Sequence, residues 1–237
     1  MSRTNPATDV AADDGNAASA TRPRLYRTAG IGGVSALLFW VLQPVIVFVI
    51  VGDKVGQPTW QYFHDYRFNG VYEAITFCGV GFGVLTCVLA LDRLAHTAGR
   101  DVSVWSRLGT WCGLVAGTTW VLTAGITLVP YTSVGDAVNR IIPAPADQNA
   151  VFESWAVMIT GMLMAYALTS AAWLVVFGVI GRRRRIFGWP SACVMFAGAA
   201  LTVLPVLIPF SPPIGGMSGL ACLFVLGIVL LVKARRA

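Results

Sequence analysis

The chain has 237 residues, of which 56% are hydrophobic and 12% charged, and its formal net charge is +6. A soluble domain carries about 25% charged residues, so an ordinary soluble fold is excluded before any motif is read. The positive charge sits in short segments between apolar stretches, which points to membrane topology and contact with anionic lipid and away from nucleic acid.

Residues 1–24 are rich in Ala, Asp, Asn, Thr and Ser and show no apolar periodicity, which predicts a disordered cytoplasmic tail. Asp9, Asp13 and Asp14 stand where a signal peptide needs basic and apolar residues. Arg22, Arg24 and Arg27 then precede a first span at 29–51, long enough as a helix for a hydrocarbon core of about 30 Å. Gln43-Pro44 interrupts this span. Pro44 has no N–H, so the Trp40 carbonyl loses its i+4 donor. Either neighbouring helices satisfy the kink, or the carbonyl and Gln43 line a cavity.

An outer loop at 52–71 holds Trp60, Tyr62, Phe63, Tyr66 and Phe68 beside His64, Asp65 and Arg67. Such aromatics suit an interfacial belt or a ligand-stacking platform. Further spans are expected at 72–91, 108–130, 154–180, 187–210 and 214–232, with a second outer loop at 131–153. Four consecutive arginines, Arg182 to Arg185, separate the fourth and fifth spans and should stay in the cytoplasm. By alternation, only Lys54, Arg67 and Arg140 of the 17 Lys and Arg residues lie outside. The expectation is an all-α polytopic membrane protein with six transmembrane helices in residues 25–237. Both termini are cytoplasmic, and the location is a bacterial plasma membrane.

Gly109, Gly113 and Gly117 recur at every fourth position of the third span, and Gly79 and Gly83 repeat the spacing in the second. Such rows let another backbone approach closely. They predict packing against helices of the same chain, of a second copy or of a membrane partner. Thr119, Thr123 and Thr127 form another stripe, expected to bond their own i−4 carbonyls.

The chain also resembles itself. With Arg27 laid over Arg107, Gly33 meets Gly113, Trp40-Val41-Leu42 meets Trp120-Val121-Leu122, and Asn69, Val71 and Glu73 meet Asn149, Val151 and Glu153. The register holds across a polar loop without a gap. It predicts tandem helical hairpins, spans 1–2 and 3–4, with 5–6 as a diverged third, related by an axis along the membrane normal.

Catalytic and cofactor chemistry is sparse. Gly216-Met217-Ser218-Gly219 is similar to the G-x-S-G nucleophile motif of rhomboid intramembrane proteases, but no histidine follows Ser218, so no dyad can form. Two histidines, His64 and His96, both in loops, exclude a transmembrane bis-histidine haem site. No P-loop, dinucleotide fingerprint or metal-ligand spacing is present, and no cofactor is expected. The five cysteines fall in apolar spans and read as small buried hydrophobes.

What remains is Glu73 and Glu153, each expected at the outer start of a helix, four residues after an asparagine. One reading is a helix end, with asparagine as cap and glutamate complementing the dipole. The other is a pair of acids facing a shared outer vestibule with Arg67, His64 and Gln43, able to bind a cation or cationic solute or to relay protons. The arginine turn before Phe187-Gly188-Trp189-Pro190, with six spans, resembles uncharacterised bacterial six-helix integral membrane protein families. That resemblance implies no activity and no functional residues. The expected function is non-enzymatic transport or binding of a small solute with an outer-face opening. The rivals are an accessory subunit docked through the glycine rows and a membrane enzyme using Glu73, Glu153, Arg67 and His64.

Overall fold

The computed structural model describes residues 6–51, 67–98, 103–142, 145–207 and 214–236. Among these residues it is all-helical: α1 (Pro6–Val51), α2 (Arg67–Thr97), α3 (Val104–Leu128), a 3-10 turn (Val129–Tyr131), α4 (Ser133–Ile141), α5 (Pro145–Arg183), α6 (Trp189–Leu207) and α7 (Ile214–Arg236). Five stretches are long and apolar enough to cross a membrane: Thr21–Val45, Phe68–Thr97, Val104–Tyr131, Asp147–Arg183 and Ser218–Arg236. They suggest a polytopic membrane protein. The apolar part of α6, Trp189–Leu204, is shorter.

Helix boundaries differ from expectation in ways that matter for the site. The tail expected to be disordered over 1–24 is helical from Pro6 onward, continuous with the first span. Ala7, Ala11, Ala12, Ala17, Ala18 and Ala20 are strong helix formers, and Pro6 suits a first helical position. The second outer loop, expected over 131–153, is mostly helix: α4 and the first turns of α5 occupy it, with Asp147 in the first turn of α5. α2 starts at Arg67, ahead of the expected start at 72. α3 also starts ahead of the expected 108, where Ser103 caps it, its hydroxyl accepting from the Ser106 N–H at 3.2 Å.

The long helices form a closed ring. Each packs on its neighbour in the order α1, α2, α3, α5, α6, α7, and α7 packs back on α1; α5 also touches α7 across the ring. Glycine makes the closest contacts. A Cβ on Gly83 would stand 2.8 Å from the Ala36 nitrogen and 2.9 Å from the Gly32 oxygen, so α1 and α2 meet backbone to backbone. Gly81 of α2 stands equally close to the Gly117 oxygen of α3 (2.8 Å), and Gly227 of α7 to the Gly30 oxygen of α1 (2.8 Å). Gly109 and Gly113 of α3 face Val176 and Trp173 of α5, and Gly79 faces the Phe39 ring. The glycine rows are therefore occupied by helices of this same chain.

Basic side chains tie the helix ends together at the arginine turn. Arg22 donates to the Thr97 carbonyl at 3.1 Å, and Arg184 donates to the Ala95 carbonyl. Both acceptors belong to the last turn of α2, where the dipole favours cations. The Ile186 carbonyl, just after the turn, accepts from the Tyr26 hydroxyl at 3.1 Å and from Lys233. Lys233 also lies 4.9 Å from the Tyr26 ring centroid. One turn thereby joins α1, α2, α5 and α7.

Candidate functional site

The polar groups of interest sit at the end of the ring opposite the arginine turn. Glu73 lies in the inward stripe of α2, between buried Asn69 and buried Thr76, and is itself half-buried. The Asn69 amide donates to Glu73 Oε1 at 3.1 Å. The Gln43 side chain, on α1, is a second hydrogen-bonding neighbour of the carboxyl. Among the described residues no Lys, Arg or His pairs with Glu73. Asp92, the inward acid at the other end of α2, differs: it accepts from the Thr110 hydroxyl at 2.6 Å and stands beside His96.

Because α2 starts at Arg67, Glu73 lies well inside the helix, and no acid occupies its first turn. The helix-end reading therefore fails. Asn69 is not a cap; its amide serves Glu73 one turn on. The same holds for Asn149 and Glu153, since α5 starts at Pro145. Glu153 is exposed and belongs to α5, which is not a ring neighbour of α2. The ring order therefore does not bring Glu153 beside Glu73 on adjacent helices. His64 lies outside the described residues. Arg67 opens α2, and its side chain also lies outside them.

Helix register defines what surrounds Glu73. Tyr131 packs over Gly70, where any Cβ would collide with its ring, and the Phe77 and Trp120 rings meet at 5.5 Å. Between these two anchors, Thr127 of α3 is level with Glu73 of α2. Thr119 and Thr123 donate to their i−4 carbonyls, Val115 and Thr119, each at 2.8 Å, as expected of this stripe. Thr127 is buried and its hydroxyl has no partner.

One turn deeper lies an aromatic layer. Phe77 follows Glu73 at i+4 on the same face of α2. Trp120 meets Phe77 on one side and Tyr166 of α5 on the other, the latter edge to face at 5.2 Å. The packing of Phe39 against Gly79 puts Trp40 at this depth too, and Trp40 packs on the buried core. Tyr166 reaches across the ring: a Cβ on Gly219 of α7 would stand 3.2 Å from its hydroxyl and 2.8 Å from Thr202 Oγ1 of α6. Trp120 Nε1 and Tyr166 OH are buried beside each other, with Ser170 also near the hydroxyl, and neither makes a well-formed hydrogen bond.

The arrangement is a carboxyl held by two amides above a layer of π faces and unsatisfied donors. It can neutralise and desolvate a cation, which a half-buried carboxyl with no counter-ion among the described residues favours. Sequence reasoning found Glu73 and Gln43 but missed Phe77 and Tyr166. Tyr166, a lone tyrosine amid an apolar span, carried the available signal. Comparison with family models, curated proteins and solved structures gives no match.

Proposed function

We propose that this protein is a six-span membrane protein of a bacterial plasma membrane that binds, and moves or senses, a cationic solute entering from the outer face. The observation that carries the reading is Glu73: a carboxyl enclosed between α1 and α2, hydrogen-bonded by Asn69 and Gln43, with no cationic side chain of the described residues to balance it. Burial of an uncompensated acid costs stability, so such residues mark ion or proton sites in membrane helices.

Support for six spans comes from α6, an apolar helix that occupies one place in the closed ring although its described apolar part is short. Support for an arginine-turn-inside orientation comes from the clustering of Arg22, Arg184 and Lys233 at one end, with exposed Trp105, Trp111 and Trp189 near the same end as interfacial anchors. The ring order is what tandem hairpins would give, each first helix touching its own partner and the second helix of the preceding hairpin. One pair departs from strict equivalence: Gly81 is in close contact with α3, whereas a Cβ on Gly161 would meet nothing within 4 Å.

Titration of the purified protein in nanodiscs with a panel of inorganic and organic cations tests the binding reading. At least one cation is expected to bind, and Glu73→Gln is expected to abolish its binding. If no cation binds in a Glu73-dependent way, the reading fails. Orientation is tested in a cysteine-less background with an impermeant thiol reagent: Arg183→Cys should be protected from outside and Pro143→Cys labelled. Pro143 lies outside the described residues.

A further inference from the structure

Resting on the cation-binding reading of Glu73, we propose that the ligand is an organic ammonium compound, with Phe77, Trp120 and Tyr166 forming its subsite beneath the carboxyl. A bare metal ion needs several oxygen ligands in a compact shell. The layer beneath Glu73 is chiefly aromatic. Phe77, Trp120 and Tyr166 pack as a continuous row of rings from α2 through α3 to α5, with ring centroids at 5.5 Å and 5.2 Å. Aromatic faces attract cations within about 6 Å of the ring and hold alkylated ammonium groups, whose charge is spread over methyl groups and whose desolvation is easy. Glu73 supplies the formal charge, and the two amides hold it in place.

The unsatisfied donors narrow the class further. Trp120 Nε1 and Tyr166 OH are each buried, at 2% and 1% exposure, close to each other but without a well-formed hydrogen bond, and Thr127 adds a hydroxyl at the depth of Glu73. Groups of this kind are costly when unmet. A ligand with an acceptor oxygen about three bonds from its ammonium centre meets both needs at once: the cation under Glu73, the oxygen toward Trp120 and Tyr166. Pro44 leaves the Trp40 carbonyl without its i+4 donor, and such a carbonyl suits a ligand N–H where one is present. An inorganic cation gains from the Thr127 and Trp40 oxygens but leaves the Trp120 N–H unmet.

The test uses the full chain in nanodiscs, with tetramethylammonium, glycine betaine (a trimethylammonium bearing a carboxylate) and rubidium as probes. Binding is read by calorimetry and by tryptophan fluorescence. Betaine and tetramethylammonium are expected to bind and to be lost in Glu73→Gln. Trp120→Leu should weaken both about ten-fold or more through loss of the π face. Tyr166→Phe keeps the ring and removes only the hydroxyl. It should weaken betaine about three-fold or more and leave tetramethylammonium unchanged. Trp120→Phe, which keeps an aromatic face in a nearly filled core, distinguishes lost binding from misfolding: it should retain tetramethylammonium binding. Rubidium binding that needs Glu73, without binding of either ammonium probe, overturns this inference and leaves the cation reading standing. Ammonium binding indifferent to both Trp120→Leu and Tyr166→Phe also overturns it. Absence of Glu73-dependent binding for every probe overturns both.

Discussion

Trp120 and Tyr166 meet edge to face at 5.2 Å inside the helix ring, and neither the indole N–H nor the hydroxyl makes a well-formed hydrogen bond. Aromatic pairs in this geometry contribute about 0.5–1.5 kcal/mol beyond their buried area. The hydroxyl and indole N–H subtract from that gain, because each is desolvated for no return. In ligand-free protein, Tyr166→Phe should therefore leave thermal stability unchanged or raise it, by up to about 1–3 kcal/mol. Melting in detergent checks this. A clear drop would mean that the hydroxyl already has a bound acceptor.

The glycine contacts make a graded prediction. At Gly83 a Cβ would press on main-chain atoms of α1, which cannot swing aside. Gly83→Ala should cost about 1–3 kcal/mol, and Gly83→Leu more. Gly161 faces open space, and Gly161→Ala should stabilise its helix by up to about 1 kcal/mol. Thermal unfolding of the two alanine variants should thus move in opposite directions. Equal shifts would mean that α1 and α2 pack more loosely than the structure has them.

The two glutamates should behave differently on neutralisation. Glu153 is exposed, so Glu153→Gln should change stability by no more than about 0.5 kcal/mol and leave cation binding intact. Glu73→Gln keeps the shape and the hydrogen bond from Asn69 while removing the charge. It should abolish cation binding and preserve or raise the stability of the empty protein, since a desolvated charge is lost. Calorimetric titration and melting of both variants check this. Equal losses of binding would revive a shared site.

Adjacent residues of the arginine turn should respond with opposite signs. Arg185 has φ 54°, a left-handed conformation that costs a non-glycine residue roughly 1–2 kcal/mol. Arg185→Gly should raise the melting temperature. Arg184→Ala removes the donor to the Ala95 carbonyl in the last turn of α2 and should lower it. Both variants delete one positive charge, so a common electrostatic effect cannot produce opposite shifts.

The sequence alone was sufficient for the helical class, for most of the apolar stretches and for the basic turn, because these depend on local composition and length. The α6 stretch, the arginine turn and the close-packing role of Gly83 and Gly117 all follow from residues a few positions apart. It also singled out Glu73 and Gln43, since polar side chains in apolar segments are conspicuous. It differed at the ends of helices: polar composition at 131–153 and 6–24 hides helical propensity that alanine content and Pro145 bring out. Tertiary structure alone decided that α7 closes on α1, that Glu153 faces outward while Glu73 faces in, and that Phe77, Trp120 and Tyr166 share one layer. Those relations join residues distant in the chain. They are set by where glycine allows two backbones to meet, and that choice of partner is a property of the whole ring.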